Sequence, residues 1–351
     1  MFKLKLVTNL LQQEIVFLAM SRIAILFISA LLLQSCNGFS QKINGVNFEA
    51  PPKEIDDSWT QGIKEVNGNF VSIVPFGFSR AGSTSLGFDY PRQWWGESVE
   101  GSMETVRMAK KAGMGVMLKP HVWIGGGVWV GDFNLDSPED WESWEADYSK
   151  YILTYANEAQ KENVEILCIG TELKTSVRER PQYWLSLINE VRAVYDGKLT
   201  YCSNWDNVNN IPFWKELDYI GISAYYPLSE LDTPSINILE KAWEPIKSEM
   251  KSFSEKIGRK VLFTEYGYRS VNPPAWKSWK IEYSKYDESH FNYVGQVNAY
   301  QALFSTFWDE PWIAGGFLWK WYSPGRLKGP NSDWTPQNKP VEKVIKLWYG
   351  K

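Results

Sequence analysis

Eight short runs of β-branched and aromatic residues, with amphipathic stretches of helical spacing between most of them, predict an α/β fold: a single (β/α)8 barrel. Alternating strands and helices indicate βαβ units and a parallel sheet, and eight such units suit the length available in 351 residues. The competing architecture, an open doubly wound sheet, would show a Gly-x-Gly-x-x-Gly turn after an early strand, and none is present.

Taken in order, the first element is an address. Met20-Ser21-Arg22 supplies a short basic region, Ile23–Leu33 an apolar run, and Leu33-Gln34-Ser35-Cys36 a small residue before cysteine. This pattern resembles a bacterial lipoprotein signal, so residues 1–36 are read as a signal peptide ending at a lipidated Cys36, with Met20 as a second possible start. An uncleaved membrane anchor and plain secretion are the competing readings. Asn37, rather than Asp, follows the cysteine, and by lipoprotein sorting rules this points to the outer membrane. Residues 37–351 form the barrel domain.

The strand runs are Ile43–Glu49, Phe70–Gly77, Gly115–Trp123, Val164–Leu173, Lys198–Trp205, Tyr219–Tyr226, Lys260–Tyr268 and Ile313–Tyr322. Each is a short β-branched or aromatic run of the kind that packs on a pleated, half-buried surface. The helical stretches are Glu97–Ala112, Pro138–Lys161, Pro181–Tyr195, Asn237–Ile257 and Tyr293–Asp309. Cys168 and Cys202 lie inside strand runs and read as buried thiols, because neighbouring parallel strands seldom bring two Cβ atoms to disulfide spacing.

Composition removes several functions. A net charge of −4 argues against a nucleic-acid binder. Two His and three Cys leave no zinc ribbon, and no His-x-His or His-Asp cluster closes a strand, so no metal site is predicted. Nothing points to a nucleotide or flavin cofactor. The excess is aromatic, with 19 Trp, 18 Tyr and 17 Phe. Flat amphipathic rings suit a surface that holds sugar rings.

Barrel active sites stand at the C-terminal strand ends and the loops that follow. There the chain places Phe76-Gly77-Phe78-Ser79-Arg80 and Trp94-Trp95, then Lys119-Pro120-His121-Val122-Trp123 with Gly125-Gly126-Gly127 and Trp129. Gly170-Thr171-Glu172 closes the fourth strand, Asn204-Trp205-Asp206 the fifth, Ala224-Tyr225-Tyr226 the sixth, Thr264-Glu265-Tyr266 the seventh and Trp319-Lys320-Trp321 the eighth. Ten of the 19 Trp fall at this end or in its loops, counting Trp276, Trp279 and Trp334.

Two of these strands, nearly continuous in apolar residues, finish on a carboxylate: Glu172 and Glu265. A strand buried on both faces ends on an acid where water or a partner meets it. Glycoside cleavage needs such a pair, one carboxyl to protonate the leaving oxygen and one to meet the oxocarbenium-like centre. At a separation of about 5–5.5 Å the second attacks carbon directly and configuration is retained.

Gly170-Thr171-Glu172-Leu173, Phe263-Thr264-Glu265-Tyr266-Gly267 and Gly316-Phe317-Leu318-Trp319 together resemble the clan A glycoside hydrolases, and family 113 above all. The likeness runs from about Ile43 to Tyr349. It implies a retaining barrel enzyme acting on β-1,4-mannan, with Glu172 as acid/base and Glu265 as nucleophile. Most of the clan carries Asn before the acid/base to hold the sugar 2-hydroxyl, and here Thr171 stands in its place. Another β-glycan specificity, or a non-catalytic cell-surface carbohydrate-binding barrel, are the alternatives.

Around the glutamates, strand alternation puts Lys119, His121 and Trp123 on one face. His121 is expected to bond a sugar hydroxyl or orient a carboxylate, Lys119 to need a charge partner and be structural, and Arg80 to steady the nucleophile's charge or form a rim salt bridge. Asn204, Trp205, Trp123, Trp319 and Trp321 are substrate-binding candidates, with Trp319 as the floor under the reacting sugar. The resemblance implies a tyrosine donating to the nucleophile, and one of Tyr225 and Tyr226 must face in. The loop Arg269–Phe291, holding Trp276, Trp279, Tyr283 and Tyr286, reads as a cleft wall. The expected partner is a polysaccharide or oligosaccharide, with membrane contact through the lipid alone and a monomeric chain.

Overall fold

The structure, a computed structural model, describes residues 42–280, 290–327, 329 and 331–351. The signal segment with Cys36, and Tyr283 and Tyr286 of the long loop, lie outside the described residues. Strands β1 (Ile43–Phe48) and β2 (Phe70–Ile73) flank helix α1 (Trp59–Glu65), and β3 (Phe76–Arg80) precedes α2 (Val99–Lys111). Then come β4 (Gly115–Leu118), β5 (His121–Gly125), α3 (Pro138–Lys161), β6 (Ile166–Thr171), α4 (Lys174–Glu179) and α5 (Pro181–Arg192). The chain continues through β7 (Lys198–Asn204), β8 (Tyr219–Ser223), α6 (Ile236–Ile257), β9 (Lys260–Tyr266), α7 (Tyr293–Phe307), β10 (Ile313–Trp321) and α8 (Val341–Tyr349).

Eight strands close a barrel in the order β1-β10-β9-β8-β7-β6-β4-β2, and every pairing is parallel. Closure puts Ile43 beside Gly315 and Gly45 beside Phe70, joining the first strand to the last and to the second. The predicted second and third strands each break in two. Pro75 and Pro120 follow β2 and β4, and a proline has no N–H for the ladder. Past the prolines the two chains resume as a separate parallel pair, β3 with β5, in which Phe76 lies opposite His121 and Arg80 opposite Gly125.

The barrel interior holds Ile43, Phe70, Met117, Ile166, Cys168, Cys202, Leu262 and Phe317. Phe317 fills the space a side chain at Gly45 would need, since a Cβ there would lie 2.3 Å from its ring. Both cysteines are free and buried. Outside, α3 lays a column of rings on the sheet through its 3.6-residue period: Trp144, Tyr148, Tyr151 and Tyr155 are all fully buried. Two of the tyrosine hydroxyls serve the strands beneath. Tyr148 donates to the Ile169 carbonyl at 2.9 Å, and Tyr151 reaches the His121 carbonyl at 2.9 Å, beside the proline break.

Helix boundaries follow local chemistry. Ser137 accepts from the Asp140 N–H with Pro138 at the first turn of α3, and α6 stops at Gly258, φ 74°. Among the described residues no helix is long and apolar enough to cross a membrane.

Candidate active site

Glu265 is the next-to-last residue of β9 and is only 6% exposed. Its two oxygens are each claimed. Lys119, the residue after β4, is fully buried and brings its ammonium to 2.6 Å from Oε1. The Tyr225 hydroxyl, two residues past β8, donates to Oε2 at 2.9 Å. Nε2 of His121 stands 3.5 Å from Oε1. Burial and the Lys119 charge hold the His121 imidazolium well below its ordinary pKa, so the ring is neutral at physiological pH. Lys119 thus finds the charge partner that a buried lysine needs, and that partner is the candidate nucleophile.

Glu172 follows β6 with φ 56°, a left-handed conformation that non-glycine residues seldom adopt, which marks functional sites. Its N–H donates to the Cys202 carbonyl at 2.8 Å, holding the turn against β7. The Trp129 indole N–H donates to its Oε2 at 2.9 Å. Burial first, then the negative charge of Glu265, push the Glu172 carboxyl up to about 7. Bonds from Trp129 and Ser223 and the Lys119 charge pull the other way and are outweighed.

Trp319, in β10, lies against His121 and Lys119. Its ring lies parallel to His121, with centroids 6.1 Å apart, and the Lys119 ammonium sits 5.1 Å from its centroid. Trp123, on the same face of β5 as His121, projects outward at 62% exposure. Thr171 is buried, and its hydroxyl oxygen has no hydrogen-bond partner among the described residues.

Other sequence candidates fall elsewhere. Trp205 packs on Tyr226 (5.3 Å) and Trp279 (6.0 Å), and the pair lines a cavity of about 400 Å³ against α6 rather than the carboxylates. Asn204 donates to Asp206 at 3.0 Å. Two assignments are corrected. Trp321 is 3% exposed and packs over Gly62 of α1, so it belongs to the core: strict alternation would put it on the face of Trp319, but the pairing of β10 with β1 shifts register between Asn47 and Phe48, the partners of Trp319 and Trp321. Arg80 is exposed at the outer end of β3, beyond the Pro75 break, and Lys119 makes the ion pair expected of it.

The tryptophans divide accordingly. Ten of the 19 are buried, and the nine others are the remaining members of the strand-end set: Trp94, Trp95, Trp123, Trp129, Trp205, Trp276, Trp279, Trp319 and Trp334. Trp129 was legible only as one of these; its bond to Glu172 spans 43 residues and has no local signature. Lys119 carried a signal, since a lysine in a buried run demands a partner, but that partner lies 146 residues away. No group of three His, Cys, Asp or Glu among the described residues could hold a metal ion.

Solved structures of similar fold include a family 113 β-mannanase from Alicyclobacillus acidocaldarius in complex with ManMIm, at 24% identity and TM-score 0.76, covering 89% of this chain and 98% of that one. A complex of a family 113 β-1,4-mannanase matches at 25% identity and TM-score 0.76, covering 89% and 99%. A β-glucuronidase from Faecalibacterium prausnitzii shares the fold more distantly, at 17% identity and TM-score 0.56, over 88% of this chain and 49% of that one. No curated protein matches the chain. The family description Glycoside Hydrolase Family 113 matches residues 53–334, most of the barrel and both glutamates. On that match, over a closed parallel barrel with two unlike carboxyls at its mouth, the chain belongs to glycoside hydrolase family 113.

Proposed function

We propose that this glycoside hydrolase cleaves β-1,4-mannan by a retaining double displacement, with Glu172 as acid/base and Glu265 as nucleophile. The observation that carries the reading is the unlike surroundings of the two carboxyls. Glu265 meets an ammonium and a phenol, contacts that favour a carboxylate. Glu172 is half-buried near that negative charge and is pushed up to about 7, so a sizeable fraction still carries the proton near neutral pH.

In the first step Glu265 Oε attacks the anomeric carbon, the glycosidic C–O bond breaks, and the Glu172 proton passes to the leaving oxygen. Glu172, now a carboxylate, takes a proton from water, whose oxygen attacks the same carbon and releases Glu265. Two inversions restore the starting configuration. Trp319 supplies the apolar floor, and neutral His121 is placed to bond a sugar hydroxyl beside Glu265.

The mannan preference draws on the family 113 mannanases of like fold. Thr171, in place of the clan's Asn, favours a second reading with another β-glycan as substrate. The test is incubation with β-1,4-mannooligosaccharides and with β-glucan, xylan and galactan oligosaccharides, following the anomer first released by NMR. Mannoside cleavage with the β-anomer released first is expected, with activity lost by at least about 10⁴-fold in Glu265→Ala. Initial release of the α-anomer overturns the double displacement; cleavage of another glycan alone overturns the substrate. The lipid anchor at Cys36 is likewise proposed from sequence, and labelled palmitate incorporated by the parent but not by Cys36→Ser tests it.

A further inference from the structure

Trp129 stands in the loop between β5 and α3, behind Gly126 and Gly127, which both have positive φ. The following residues Val130–Asp132 form a short 3-10 turn. Two contacts fix that turn. The Thr175 hydroxyl, on the helix that directly follows Glu172, donates to the Gly131 carbonyl at 2.8 Å. The Trp129 ring folds over Gly131 so closely that a Cβ there would lie 2.4 Å from it. The loop is thus stapled to the segment that carries the acid, and the indole N–H reaches Glu172 Oε2. The indole has no acceptor atom, so this bond is one-way.

We propose that Trp129 is the positioning residue of the acid/base, an indole that commits Oε2 of Glu172 to a fixed bond and leaves Oε1 to carry the transferable proton. The inference rests on Glu172 being the acid. A carboxylic acid keeps one oxygen as pure acceptor, and an N–H donor selects which one. The same bond strengthens when Glu172 ionises, so it lowers the cost of giving up the proton in the first step and limits how far burial raises the carboxyl. The backbone of Glu172, at φ 56°, makes such an external anchor useful, because a lone side chain on a strained turn has no neighbour of its own helix or strand to set its rotamer.

The groups facing Glu172 set the pH response. Glu265 on β9 raises it, Lys119 after β4 and Ser223 on β8 lower it, and Tyr201, Cys202 and Tyr225 lie within its field as neutral groups. Trp129 is uncharged and changes none of these charges when replaced.

Trp129→Phe keeps a ring over Gly131 and deletes the N–H. The full chain and this variant are compared on mannotetraose, a poor leaving group, and on dinitrophenyl β-mannobioside, whose departure needs little acid assistance. The expected result is a loss of about tenfold in kcat/KM on the tetraose and no more than about twofold on the aryl substrate. The alkaline limb of kcat/KM moves up by about one pH unit, since a bond that favoured the ionised carboxyl is gone. Equal losses on both substrates with a stationary limb overturn the proposal, leaving Trp129 a structural or sugar-stacking residue. Glu172→Ala on the aryl substrate, with azide added, checks the reading beneath it. Rescue giving a β-mannosyl azide upholds Glu172 as the acid/base, whereas its failure overturns that assignment whatever Trp129→Phe does.

Discussion

The two sides of the cleft end strands on the same residue type and treat it in opposite ways. Glu265 is met by Lys119 at 2.6 Å and Tyr225 at 2.9 Å, two donors that hold a negative charge in a dry pocket. Glu172 meets uncharged side-chain donors, Trp129 and Ser223, and desolvation first, then the charge of Glu265, push its carboxyl up to about 7. Neither role is a property of glutamate. Roles follow from which strand ends deliver a cation, and the barrel delivers its buried cation to one side only.

The sharpest way to break that asymmetry is Lys119→Met. It leaves Glu265 buried without its ion-pair partner, and denaturant unfolding is expected to show about 3–5 kcal/mol of lost stability. Because Lys119 lowers the Glu172 carboxyl, the variant's alkaline limb also moves up. An unchanged unfolding midpoint would show that the pair is not what holds this side together.

Next in size is Glu172→Gln. A carboxyl whose folded pKa is raised binds its proton more tightly when folded, so its stabilising effect is greatest below about 4.5 and is lost as pH climbs through about 7. The glutamine variant should therefore be more stable than the parent by about 2 kcal/mol near pH 8, with little difference near pH 5, in melting curves at the two pH values. A gain of equal size at both would place its cause in packing rather than in charge.

Tyr225→Phe removes one of the two donors to Glu265 and is expected to lower kcat on mannooligosaccharides by about tenfold, as loss of a bond to a charged group does. Tyr226→Phe, on the cavity side with Trp205, should change kcat by less than about twofold, so an equal effect of the two would contradict the placement. The smallest effect belongs to Arg80→Ala. Exposed and outside the ion pair, it should leave kcat/KM within about twofold.

Much of this was legible beforehand because it is local. Helical spacing of apolar residues predicted α3 with both ends as found, and the ends of β6 and β9 announced the glutamates. The splitting of the second and third strands was also written in Pro75 and Pro120, though the apolar pattern continues across them. Arg80 and Trp321 misled because a strand end is a point on a circle. Sequence places a residue near the mouth, while twist, a proline break and a shift in strand register decide whether it faces in.

By itself the sequence determined a single parallel barrel, an aromatic mouth and two carboxyls at strand ends, since these depend on spacing of residues a few positions apart. The tertiary structure alone decided that Lys119 reaches across 146 residues to Glu265, that Trp129 reaches Glu172, and that Tyr225 rather than Tyr226 turns inward. Those choices depend on closure. Only when β1 meets β10 do residues from distant segments share one small, poorly hydrated volume, where burial and a neighbouring charge give two identical side chains different chemistry.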